Sequence, residues 1–287
     1  MPNALALGTF DGIHPGHRAV LDAALSYHTV AVTFLSPPKM LASGTSSLLM
    51  SPKDKETALK EYGVDEIEWL DFSAVRDLSP VAFLDQICEK YHPQRIVCGY
   101  DYRFGKNAAG TTETLLEYCH SHGIEFFCAE RVDVDGKPIS STRIRQWLAN
   151  GDTETANRYI LGGFRFRATV LHGDARGRKL GFPTANQLYP KELAPLKHGV
   201  YVTKMVFDGK SYIGITNIGH RPTWPTDDVL CETYLPDFSG DLYDREIVTY
   251  PLRFLRPERR FDSIEELTAT IRRDLDEAMN EKAALGL

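Results

Sequence analysis

The feature that most constrains the fold is a change of rhythm near Leu161-Gly162-Gly163. Before it, short apolar runs at residues 4–7, 30–34, 66–70, 95–98 and 124–128 read as strands. Segments 18–27, 52–62, 80–91 and 111–122 lie between them with helical apolar spacing. Pro52 and Pro80 each follow a serine, the pattern of a capped helix with proline in its first turn. Such alternation predicts a parallel sheet covered on both faces, with ligands collecting at the carboxyl ends of its strands. Residues 140–150 and 153–159 read as two more helices, the first closed by Asn150-Gly151. After residue 160 the pattern is all strand: 164–172, 200–207, 211–218, 230–235 and 247–254, with turn signals such as Asp208-Gly209 between them. Residues 263–284 close the chain as one amphipathic helix, with Ile264, Leu267, Ile271, Leu275 and Met279 at helical spacing. The expected fold is therefore α/β. It has a doubly wound parallel-sheet domain over 1–160, then a small antiparallel β-barrel with a C-terminal helix over 161–287.

Charge excludes some function classes. The net charge is −6, so broad attraction to nucleic acid or an anionic membrane is not expected. Any anionic ligand must be held by local groups. No apolar run approaches the roughly 20 residues that span a bilayer, and the N-terminus lacks the basic region of a signal peptide. The five cysteines (Cys88, Cys98, Cys119, Cys128 and Cys231) are odd in number and lack CxxC spacing. Reduced thiols in a cytoplasmic enzyme are expected. Nothing in the sequence specifies an oligomeric state.

Two motifs carry chemistry. The first, Gly8-Thr9-Phe10-Asp11-Gly12-Ile13-His14-Pro15-Gly16-His17, follows the first strand. Its glycines let the backbone turn sharply and approach a ligand. A helix expected to start at His17 offers amides and a dipole to an anion. His14 and His17 can then donate to a triphosphate and stabilise charge developing at the α-phosphorus. Ile139-Ser140-Ser141-Thr142-Arg143-Ile144-Arg145 sets hydroxyls at a helix start with two arginines behind. This is either a cap with solvated arginines or a second clamp on the phosphates.

The second motif runs from Gly173 to Asn186, GDARGRKLGFPTAN. Gly173, Gly177 and Gly181 with Arg176, Arg178 and Lys179 can form an anion-binding nest. Thr184 and Asn186 offer the hard oxygens that suit Mg²⁺ carrying nucleotide phosphates. The lysine and spacing are wrong for a Walker loop.

These strings carry a resemblance. GxFDGxHxGH with ISSTRIR is similar to the HxGH nucleotidylyltransferases. Gly99–Gly110 (GYDYRFGKNAAG) resembles a segment of the prokaryotic bifunctional riboflavin kinase/FAD synthetases, and 173–186 resembles the riboflavin kinase signature. Companions follow in order, among them Asn217 with Arg221-Pro222-Thr223, Glu232-Thr233-Tyr234, Leu242-Tyr243 and Phe254-Leu255-Arg256.

The resemblance implies two reactions. Riboflavin is phosphorylated to FMN with MgATP, and AMP then passes from ATP to FMN, giving FAD and pyrophosphate. It implies that Glu232, His14 and His17 are catalytic. It implies that Gly8, Phe10, Asp11, Gly16, Ser141, Thr142 and Arg145 bind ATP in one half, and Gly173, Gly177, Arg178, Gly181 and Pro183 in the other. Asp101, Arg103, Asn217 and Arg256 would contact flavin, and Thr184 and Asn186 the metal. The family's acid and histidine after the second strand are absent, since Leu35-Ser36-Pro37-Pro38 stands there. That departure keeps an alternative open, a riboflavin kinase with a weak or decayed adenylyltransferase. Tyr234 and Asp244 replace a frequent histidine and glycine.

Overall fold

The computed structural model describes residues 1–38, 40, 47–172, 181–220 and 228–286. They fall into two compact units, Met1–Ile144 with Tyr159–Leu161, and Arg145–Arg158 with Gly162–Leu287.

The first unit is built on five strands: β1 (Asn3–Leu7), β2 (His28–Phe34), β3 (Glu66–Leu70), β4 (Arg95–Gly99) and β5 (Glu125–Ala129). Every neighbouring pair is parallel and the order is β3-β2-β1-β4-β5. Ala4 to Leu7 of the central strand are buried, as a strand covered on both faces requires. The strand order reverses between β1 and β4, which is where such sheets hold ligands. Around the sheet lie α1 (Pro15–Asp22), α2 (Pro52–Tyr62), α3 (Phe72–Val75), α4 (Pro80–Tyr91) and α5 (Thr112–His122).

Local chemistry fixes several of these ends. Ser51 and Ser79 accept from Asp54 N and Ala82 N, and Pro52 and Pro80 open their helices as expected. Gly63 and Gly123 end α2 and α5 in the left-handed conformation. One expectation is corrected: α1 begins at Pro15, not at His17. Proline is well suited to a first helical position, so His14 becomes the N-cap and His17 lies within the first turn. A small hairpin, β6 (Asp133–Val134) with β7 (Lys137–Pro138), precedes α6 (Ser141–Asn150) and α7 (Thr153–Tyr159).

The second unit is a closed antiparallel barrel of six strands: β8 (Phe166–Leu171), β9 (Thr184–Leu188), β10 (Gly199–Phe207), β11 (Lys210–His220), β12 (Val229–Tyr234) and β13 (Glu246–Arg256). The sequence reading missed β9. Inside the barrel the polar residues satisfy one another. Thr216 Oγ1 lies 2.7 Å from both Thr203 Oγ1 and Thr233 Oγ1, and Thr249 donates to Gln187 Oε1 at 2.7 Å. Alternate residues point outward, where Val200, Val202, Ile213 and Ile215 meet α8 (Ile264–Ala284) through Ile271, Leu275, Ala278 and Met279. β10 is therefore buried on both sides over its first five residues.

Candidate functional sites

In the first unit the motif turn leaves β1 at the order reversal. Phe10, Gly12 and Ile13 all have positive φ, at 48°, 88° and 40°. Phe10 and Ile13 are buried non-glycine residues in a region that disfavours them, so the turn is strained and its surroundings must hold it. A Cβ on Gly12 would lie 2.9 Å from Leu49 Cδ1. Asp11 is 1% exposed, and its Oδ1 accepts from Leu49 N at 2.9 Å. Ser141 Oγ donates to Asp11 O at 2.9 Å, tying the ISSTRIR helix start to the turn. The His14 and His17 rings stack, with centroids 3.8 Å apart, and Phe10 meets His17 edge-on at 5.5 Å. Both imidazoles thus stand together at the N-terminus of α1, with Gly8 and Gly16 on either side of the turn.

Thr142 is exposed at the start of α6. Arg143 bonds to the carbonyls of Val134 and Lys137 and so anchors the β6–β7 hairpin. Arg145 groups with the second unit. Asp101 and Arg103 are exposed in the loop that leaves β4, the strand beside β1. That loop is pinned by Phe104, which bridges Gly110 and packs on Phe83. Beyond β2, Leu35 is 53% exposed, and the Phe34 carbonyl accepts from Lys55 Nζ. Sequence reading missed Lys55. Its signal was its place at i, i+3, i+4 with Ala58 and Leu59, a lysine on a buried stripe.

In the second unit the register gathers the expected residues. Asn186 is opposite Glu232, Glu232 opposite Asn217, Asn217 opposite Val200, and Val200 opposite Arg256. This row crosses five strands on the outer face. Opposed side chains lie about 5 Å apart at Cβ, so their polar groups converge. The next row on that face sets Thr184 opposite Tyr234 and Tyr234 opposite Ile215.

Between these rows and α8 lies a pocket of about 320 Å³, which Thr184, Asn217, Glu232 and Arg256 line. Its floor is apolar, with Val200, Ile215 and Ile271, which suits a flat aromatic ligand. A second pocket of about 490 Å³ is lined by Pro183, Thr184, Phe238, Leu242 and Tyr243. Thr184 borders both.

The polar rim is ordered by partners the sequence reading did not name. Arg256 makes hydrogen bonds of 3.0 and 2.8 Å to Asp274 Oδ2 on α8, and Asn217 Nδ2 donates to Glu258 Oε1 at 3.0 Å. Asp274 was detectable as an acid spaced by four from the buried Thr270 and Ala278. Gly181 has φ of 84°, a conformation that favours glycine. Gly173, Gly177, Arg178 and the Arg221-Pro222-Thr223 segment lie outside the described residues.

The donor set fits a hard cation. Asn186 Oδ1 is buried and has no hydrogen-bond partner among the described residues. The Thr184 hydroxyl, two residues along the same strand, projects from the same face. A buried unsatisfied oxygen is costly, and an oxygen-seeking ion such as Mg²⁺ would satisfy it.

Comparison with known proteins matches each half of the chain to a family. Residues 1–143 match the FAD synthetase family model and residues 162–281 the riboflavin kinase model. A bifunctional riboflavin kinase/FMN adenylyltransferase of Listeria monocytogenes is 33% identical, over 94% of this chain and 89% of that protein. The chain belongs to the bifunctional riboflavin kinase/FMN adenylyltransferase family. Its relative of the same name in Pseudomonas fluorescens is 35% identical over 94% of this chain and 89% of that protein. Among solved structures, one described as a macrolide-efflux protein of Streptococcus pneumoniae superposes with a TM-score of 0.88 and 30% identity. It covers 97% of this chain and 94% of that one. Among the described residues no helix is long and apolar enough to cross a membrane.

Proposed function

We propose that the chain converts riboflavin to FMN in its second unit and FMN to FAD in its first, with ATP as co-substrate of both steps. The observation that carries the kinase half is Thr184, which borders two pockets at once. Riboflavin lies in the apolar pocket under α8, and the nucleotide lies in the pocket beside Pro183 and Tyr243. The phosphoryl group crosses at Thr184.

Glu232 sits in the flavin pocket beside Asn217 and acts as the general base that takes the proton from the attacking riboflavin hydroxyl. Thr184 and Asn186 would hold Mg²⁺, which when bound offsets charge on the nucleotide phosphates. Asn217 and Arg256 orient the flavin. Arg256 is itself held by Asp274, so its guanidinium is fixed in direction.

The adenylyltransferase half rests on the stacked His14 and His17 at the mouth of a sheet crossover. An α-phosphate held at the α1 N-terminus meets both imidazoles and the amides of the turn. FMN approaches from the Asp101–Arg103 loop of the neighbouring strand. The missing acid and histidine after Phe34 do not remove these groups, which favours a working adenylyltransferase over a decayed one. We assign the enzyme to the cytoplasm, where its thiols stay reduced.

The test is product analysis with riboflavin, ATP and Mg²⁺ over time: FMN rises first and FAD follows. Glu232→Ala is expected to abolish FMN formation while FAD synthesis from supplied FMN persists. Normal riboflavin phosphorylation by that variant would remove Glu232 as the base.

A further inference from the structure

The adenylyl-transfer reading leaves one buried cation unused. Lys55 of α2 is 2% exposed. Its Nζ donates to Thr9 O at 3.1 Å and to Phe34 O, the residues just past β1 and at the end of β2. Thr33 Oγ1 donates to the same Thr9 carbonyl at 3.0 Å, and the Trp69 ring of β3 lies 5.2 Å from Nζ. Among the described residues, the charged group that acts on Lys55 is Asp11 of the motif turn, while β2 contributes a carbonyl and β3 an indole.

An ammonium in this place is expensive, because burial penalises its charge. A leucine or methionine at this position of the α2 stripe would pack without that penalty. The cation is useful for what it grips. Thr9 immediately precedes Phe10, where the strained turn begins, and such a turn persists only if its neighbours over-determine it. Lys55 fixes the entry to the turn from below, as Ser141 fixes Asp11 O.

We propose that Lys55 is a positioning residue for adenylyl transfer: its grip on the Thr9 and Phe34 carbonyls fixes the turn that carries His14 and His17. The proposal rests on the adenylyltransferase reading of the first unit. Burial outweighs the opposing pull of Asp11 and lowers the Lys55 ammonium from 10.5 to about 8. Loss of that proton leaves two N–H donors but removes the charge that strengthens them, so mild alkali weakens the grip.

Two experiments on the full chain test this. Lys55→Met keeps the stem and removes donors and charge. The kcat for FAD formation from FMN and MgATP is expected to fall about 30-fold, because small misplacements of reacting groups cost that order. The KM for ATP should barely move, and riboflavin phosphorylation by the same molecules should be unchanged. Lys55→Arg, which cannot lose its charge, is expected to restore part of the rate.

In the unsubstituted enzyme, kcat/KM for ATP in adenylyl transfer should fall above a pH of about 8, since that ratio reports ionisations of the free enzyme. Lys55→Arg should lack that fall. A wild-type rate of FAD formation by Lys55→Met overturns the proposal. So does a profile that stays flat from neutrality to a pH of about 9.5, and this profile decides even if Lys55→Met does not fold. Failure of the unsubstituted enzyme to make FAD at all would instead sink the adenylyltransferase reading itself.

Discussion

Asp244 shows how one residue can work against its own backbone. Its φ is 59°, a left-handed conformation that penalises most side chains and that glycine adopts freely. Its amide still donates to Val170 O at 2.9 Å, so the turn is required. The carboxylate lies 3.7 Å from His172 Nε2, but both side chains are mostly exposed and solvent screens the pair. Asp244→Gly is therefore expected to stabilise the protein by about 0.5 kcal/mol, the relief of strain exceeding the added freedom of the unfolded chain. Urea unfolding measures this, and a loss of stability would contradict it. The same conformational logic applies at Phe10 and Ile13, where the strain serves the motif and is held by Lys55, Ser141 and Leu49.

Elements, more than single residues, were legible in the sequence. The capped starts of α2 and α4 and the five parallel strands follow from serine, proline and apolar spacing, because local chemistry alone decides them. β9 was hidden because its residues Thr184 to Leu188 do not alternate apolar with polar. Ala185 and Gln187 face the barrel interior, where Gln187 is satisfied by Ala168 O, Ile247 O and Thr249, while Thr184 and Asn186 point to the outer face. A strand that is polar on both faces has no periodic signature, so its role was visible as a motif and its geometry was not. The Asn186–Glu232–Asn217 row was equally hidden, since register across three strands is a property of the closed barrel.

The link between β13 and α8 gives the prediction at this scale. Arg256 and Asp274 are largely buried, so removing the acid leaves a guanidinium without its partner. Asp274→Asn is expected to raise the KM for riboflavin about tenfold, near 1.4 kcal/mol of binding. FAD synthesis from supplied FMN should be untouched. Steady-state kinetics of the two half-reactions check this, and equal losses in both would mean that the pair is structural only.

For the whole molecule, the distribution of thiols separates the two units. Cys88, Cys98, Cys119 and Cys128 belong to the first and Cys231 to the second. Burial pushes all five thiols above their ordinary value of 9.0, Cys88 to about 11 and Cys119 to about 12. The sign follows directly. A thiol whose folded value is raised holds its proton longer in the native state than in the unfolded chain. Its contribution is complete below a pH of about 9 and is lost as pH rises through that value toward the folded one. Four such groups act on the first unit and one on the second. Lys55 opposes them from about 8 upward, because its lowered value makes folding release its proton, but it is a single group. Brief exposure to rising pH, followed by assay at neutrality, should therefore abolish adenylyl transfer before riboflavin phosphorylation. Simultaneous loss would mean that the two units unfold as one, and earlier loss of phosphorylation would mean that the thiols do not govern alkaline stability. Net charge carries no such information: at −6 the protein repels the anionic ATP and FMN at long range. The turn at α1 and the pocket beside Pro183 and Tyr243 must therefore capture ATP through local groups alone.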